Sequence, residues 1–66
     1  MKRQLEIGDT IRCAEVSATI AEITFQEPWA WRNSWYIEFT DTDGNYRSWK
    51  QCDDGGKAYD KNGIEI

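Results

Sequence analysis

The segment Trp35–Lys50 constrains the fold of this chain more than any other. It reads Trp-Tyr-Ile-Glu-Phe-Thr-Asp-Thr-Asp-Gly-Asn-Tyr-Arg-Ser-Trp-Lys and holds five of the nine aromatic residues. Ile37 and Phe39 alternate with Glu38 and Thr40, the period-2 pattern of a strand with one buried face. Asp41-Thr42-Asp43-Gly44 then has Asp at the first position of a type I turn and Gly at the fourth. Such a turn closes a hairpin with Gly44 left-handed, in a small bulge. The register that follows sets Asp41 opposite Asn45, Phe39 opposite Arg47 and Ile37 opposite Trp49.

Other segments add strands on either side. Leu5, Ile7, Ile11 and Cys13 share one parity and predict a first strand over 5–13, interrupted by Gly8-Asp9. A second strand is expected over 17–26, rich in the β-formers Thr19, Ile20, Ile23, Thr24 and Phe25. Its apolar parity changes between Ile20 and Ile23, which asks for a bulge near Ala21-Glu22 or a strongly bent strand. Ala18, Ala21 and Glu22 also suit a helix, but no capping sequence precedes them and the β-formers outweigh them. Glu27-Pro28-Trp29-Ala30-Trp31-Arg32-Asn33-Ser34 reads as a long loop. Gln51–Gly63 is rich in turn signals, with Gly55-Gly56 and Asn62-Gly63, and Ile64-Glu65-Ile66 alternates as a short last strand. The expectation is one all-β domain over 1–66, a small five-stranded barrel with strands near 5–13, 17–26, 35–40, 45–50 and 64–66.

Composition narrows the function classes. Twelve acids against eight bases make a net charge of −4, and acids outnumber bases in both halves of the chain. A protein that lives on phosphate contacts shows a Lys/Arg stripe, so nucleic acid is the less expected partner and an anionic membrane surface is disfavoured. No apolar run approaches the roughly 18 residues of a membrane span. The start, Met1-Lys-Arg-Gln-Leu-Glu, lacks the apolar stretch of a secretory leader, so a cytoplasmic protein is expected. Cys13 and Cys52, with no histidine in the chain, make no zinc site and are expected to be free thiols.

Enzyme chemistry has little to work with. Without histidine there is no Ser–His or Cys–His nucleophile system. The carboxylate pairs Asp41/Asp43 and Asp53/Asp54 sit in turn sequences, where Asp serves the backbone and stays solvated. Asp41-x-Asp43-Gly44-Asn45 superficially resembles a calcium loop, but that motif needs Gly at its sixth position and Glu at its twelfth, where Cys52 stands. No catalytic residue, metal ligand or cofactor is expected.

The order of connections is short, long and aromatic, tight, then glycine-rich, and Gly8-Asp9-Thr10-Ile11 is similar to the Gly-Asp-x-Val entry of small barrels. In these features the chain resembles SH3-like barrels in the broad sense that includes Tudor and KOW-type modules, over its whole length. The first loop is too short for the ligand-contacting loop of true SH3 domains, and no Ala-Leu-Tyr-Asp-Tyr-like segment is present. Recognition of proline-rich peptides is therefore not implied.

The functional lead is aromatic. Trp29 and Trp31 flank Ala30 next to Pro28 and Arg32, while Tyr36 and Tyr46 fall on the polar face of the hairpin. Binding surfaces favour Trp, Tyr and Arg, so these five residues are the candidate contacts for a protein or peptide partner. Arg32 would add a charge-assisted contact to an acidic group. One alternative is that a loop Trp plugs the open end of the barrel. Two other uses are single-strand nucleic-acid binding, with bases stacked on the rings and Arg32, Arg47 and Lys50 against phosphate, and an accessory subunit assembling through an exposed sheet edge or a homodimer contact. The oligomeric state stays open.

Overall fold

The computed structural model describes residues 3–29, 34–51 and 56–66. The fold is all-β, with β1 (Thr10–Cys13), β2 (Val16–Trp29), β3 (Ser34–Asp41), β4 (Tyr46–Lys50) and β5 (Lys57–Tyr59). They form one antiparallel sheet in the order β4-β3-β2-β1-β5. Each strand sends a residue into one buried cluster: Ile11, Ala18, Ile20, Ile37, Phe39, Trp49 and Ala58, joined by Leu5. One side of a five-stranded sheet can meet in a single cluster only if the sheet curls, so the core lies inside the curl. Among the described residues no helix is long and apolar enough to cross a membrane.

The hairpin has the register its turn sequence requires, with Phe39 opposite Arg47 and Ile37 opposite Trp49. Gly44 donates its N–H to the Asp41 carbonyl at 3.0 Å and takes a φ of 87°. An L side chain resists that conformation, so Gly44→Val is expected to cost about 1–2 kcal/mol. Urea denaturation checks it, and an unchanged midpoint would contradict the turn assignment. Asp41 corrects the expectation of a solvated turn residue, being only 3% exposed. Its Oδ1 accepts the N–H groups of Asp43 and Asn45, and its Oδ2 meets Arg47 Nε at 2.6 Å. The Arg47 guanidinium, then the Asn45 amide, hold this carboxyl below its ordinary range.

Strand β2 carries two irregularities. Ile20 pairs Asp41 and Glu22 pairs Thr40, so Ala21 is an extra residue, as the parity change in the sequence asks. A second shift separates Ile23, opposite Phe39, from Phe25, opposite Glu38. It turns Phe25 to the outside, where it is 45% exposed. Ile23 and Phe25, two residues apart and so of one parity in the sequence, therefore do not share a face. β2 also runs on to Trp29, which pairs Ser34, so Trp29 belongs to a strand end and not to a loop.

The ends of the chain depart most from the sequence reading. β1 begins at Thr10, not at residue 5, because Glu6–Asp9 makes a turn with Gly8 at φ 99° and Asp9 N–H donating to the Glu6 carbonyl. That turn leaves Ile7 65% exposed, while Leu5 stays buried. Leu5 is tied to β2 by a side chain standing in for a strand: Gln26 Oε1 accepts the Leu5 N–H at 2.8 Å and Nε2 donates to the Leu5 carbonyl at 3.0 Å. At the other end, the fifth strand is Lys57–Tyr59, and 64–66 is an arm folded back upon it. The arm bridges at Tyr59–Glu65 and donates Ile66 N–H to the Ala58 carbonyl at 2.8 Å.

Between the last strand and the arm, Asp60 repeats the role of Asp41. Its Oδ1 accepts the N–H groups of Asn62 and Ile64, and Gly63 donates to its carbonyl with φ 81°. Cys13 is a free thiol, as expected. Cys52, Asp53, Asp54 and Gly55 lie outside the described residues.

Candidate functional site

The outer face of β2, β3 and β4 follows from parity. Ile37, Phe39 and Trp49 point into the core, so Tyr36, Glu38 and Thr40 of β3 point away, beside Lys50, Ser48 and Tyr46 of β4. The second bulge adds Phe25 to this face, and the two-residue period carries Glu27 and Trp29 with it. Phe25 and Tyr36 meet edge-on with ring centroids 6.2 Å apart. Lys50 Nζ sits over the Trp29 ring, 4.8 Å from its centroid, a cation–π contact that partly covers the indole.

Glu38 lies at the centre. Tyr36 Oη donates to Oε2 at 2.5 Å and Tyr46 Oη donates to Oε1 at 2.8 Å, so one carboxylate gathers two rings from two strands. The Tyr36 hydroxyl, then the Tyr46 hydroxyl, lower the Glu38 pKa, and both phenols are correspondingly raised. A carboxylate with a depressed folded pKa contributes stability that is fully present above its unfolded value. That contribution is lost as the pH falls through the folded value, so the window lies below the ordinary 4.5. A carboxyl titration followed by NMR should place Glu38 below 4.5, with Tyr36→Phe moving it back toward that value. A midpoint indifferent to Tyr36→Phe would rule out the hydrogen bond as the cause.

Of the five candidate contacts, the structure brings Tyr36, Tyr46 and Trp29 to one face, while Trp31 and Arg32 lie outside the described residues. Trp29 is half-buried on the outer face under Lys50, which does not fit a plug inside the curl. Phe25 and Glu38 are the residues that sequence reasoning missed. Glu38 was readable from the hairpin register, since it shares a parity with Tyr36 and lies diagonally from Tyr46. Phe25 was not, because nothing local announces the second bulge. Arg47, a candidate phosphate contact, points inward and is bound to Asp41.

Compared with protein-family models, curated proteins and solved structures, the chain matches none of them.

Proposed function

We propose that this protein is a non-catalytic binding module that takes a protein or an extended peptide on the outer face of β2, β3 and β4. One observation carries the reading: residues distant in sequence, Phe25, Trp29, Tyr36 and Tyr46, form a single aromatic face, with Tyr46 60% exposed. A core has no use for rings placed there, whereas rigid rings give contact area at little entropy cost. The strand order also supports placing the chain among SH3-like barrels, where a fifth strand returns to pair with the first. Single-strand nucleic-acid binding draws less support. The centre of the face is a carboxylate held ionised, and Lys50 is already engaged by Trp29.

Affinity capture from cell extract, with wild type beside a Phe25→Ala/Tyr46→Ala variant, tests this. Both side chains are exposed, so the variant should keep its fold. A protein captured by wild type should survive a salt wash of about 0.5 M and fall at least about tenfold in the variant, since apolar contacts resist salt and phosphate contacts do not. Equal capture by both proteins, or capture only of nuclease-sensitive material, would reject the proposal.

A further inference from the structure

The sheet has a second outer surface, on β1, β5 and the start of β2. Ile11, Ala18 and Ala58 are buried, so Thr10, Arg12, Ser17, Thr19, Lys57 and Tyr59 point the other way. The register sets Arg12 between Ser17 and Lys57, and Thr10 between Thr19 and Tyr59. A cleft of about 390 Å³ opens here, with Thr10, Arg12, Ser17, Tyr59, Asp60 and Lys61 in its lining. None of these six belongs to the aromatic face.

Arg12 sets the cleft apart. The other two described arginines are each held by a buried carboxylate, Arg3 by Asp9 and Arg47 by Asp41. The Arg12 guanidinium has no ion-pair partner among the described residues, in a chain where acids outnumber bases twelve to eight. It stands over the Tyr59 ring, 5.8 Å from the centroid, which leaves its N–H donors open. Lys61 is carried by the turn after β5, fixed by Gly63 N–H on the Asp60 carbonyl and Asn62 N–H on Asp60 Oδ1. Asp60 is the one carboxylate in the lining, and its Oδ1 already accepts two N–H groups of that turn. Lys57, beside Arg12, is matched by Glu65 at 3.6 Å. The cleft therefore sets two cations against one carboxylate, the reverse of the balance in the whole chain.

Hydroxyls complete the donor set. Ser17 is exposed beside Arg12. Thr10 Oγ1 and Thr19 Oγ1 lie 3.1 Å apart, and the pair has two protons for one bond. With Thr19 donating, the Thr10 proton is free to turn into the cleft. A guanidinium fork, an ammonium and two hydroxyls suit an anion with many acceptors. A carboxylate has two oxygens to offer, whereas a phosphate monoester has three and carries roughly −1.5 to −2 charges at pH 7. The volume falls near the lower end of the roughly 300–1,000 Å³ of small-molecule sites, which leaves room beyond a bare phosphate.

We propose that this cleft binds a small phosphate monoester, its phosphoryl oxygens on Arg12, Lys61, Thr10 and Ser17 and its organic part along Tyr59. One phosphate group needs no stripe of basic residues, so the site is compatible with an acidic chain.

The probe is phenyl phosphate, titrated at constant ionic strength beside inorganic phosphate and benzoate and followed by amide NMR. Phenyl phosphate should shift Thr10, Arg12, Ser17, Tyr59 and Lys61 saturably, with inorganic phosphate weaker at the same residues. Benzoate should bind at least about tenfold more weakly than phenyl phosphate. Arg12→Gln and Lys61→Gln alter exposed side chains and should fold, and each should weaken phenyl phosphate binding by about fivefold or more.

Shifts that do not saturate, benzoate binding as tightly as phenyl phosphate, or wild-type binding by both variants would overturn the proposal. Inorganic phosphate binding as tightly as phenyl phosphate would remove Tyr59 from it. A phosphotyrosine pentapeptide binding at least about tenfold more tightly than phenyl phosphate would give the site to a protein partner and overturn the small-molecule assignment. The capture experiment with Phe25→Ala/Tyr46→Ala reports on the other face, so either reading can fail alone.

Discussion

Trp49→Ala is expected to destabilise the protein by about 3–5 kcal/mol, the range for emptying a large aromatic site in a core. Trp49 is 7% exposed and stands opposite Ile37, which is fully buried. Among the described residues eight hydrophobic side chains form the buried cluster, and the other seven cannot close around a hole of indole size. At roughly 0.05–0.15 kcal/mol per residue, a 66-residue domain has about 3–10 kcal/mol of stability in all. A chain this short buries a smaller share of its unfolded surface than a long one and falls toward the lower end, so this loss takes most of it. Most of the variant should therefore be unfolded at 25 °C, as read by circular dichroism. Trp49→Phe makes the informative control. Trp49 Nε1 is buried with no hydrogen-bond partner among the described residues, so phenylalanine removes an unsatisfied donor along with some volume. It should cost clearly less than alanine. A Trp49→Ala protein melting near the wild-type temperature would mean that the indole is not part of the core.

Asp9→Ala is expected to cost about 2–3 kcal/mol, the scale of hydrogen bonds to a charged group that is taken out of water. Asp9 is 3% exposed, and its carboxylate accepts Arg3 Nη1 and Nη2 at 2.8 Å each and the Glu6 N–H at 2.7 Å. These bonds hold the turn that seats Leu5 in the core, since Gly8 N–H and the Asp9 carbonyl both bond to Ile20. Removing the carboxylate leaves the Glu6 amide unpaired and frees the segment to detach. Arg3 is partly exposed and recovers water, so Arg3→Ala should cost less than Asp9→Ala. Urea denaturation of the two variants and the double variant forms a cycle, and equal, additive losses would show that the pair is not coupled.

The same residues show how far a linear reading goes. Asp-x-Asx-Gly-x occurs twice, at Asp41–Asn45 and Asp60–Ile64, and both copies fold alike. Only the first was read as a complete turn. The second was visible as Asn62-Gly63, but its partner strand, Lys57–Tyr59, has one apolar residue fully inside and no alternation to reveal it. Ile64 and Ile66 share a parity that suggests a strand, yet Ile64 is 64% exposed while Ile66 packs on the core. A single bridge does not impose the alternation of a full ladder.

The hairpin strands β3 and β4, their register and the inward face of Ile37, Phe39 and Trp49 were determined by the sequence, because a tight turn and a two-residue period are local properties. The first bulge was legible for the same reason, as a parity break between Ile20 and Ile23. Only the tertiary structure decided that Phe25 faces outward, that Leu5 is buried while Ile7 is not, and that Asp9 and Asp41 are buried charges. Each of these depends on a partner far along the chain: Glu38 for Phe25, Gln26 for Leu5, Ile20 for the Asp9 turn. The aromatic face is built from such choices. Its hairpin half follows from the turn at Asp41–Gly44, and its other half exists because a strand bent around a small core must slip its register twice.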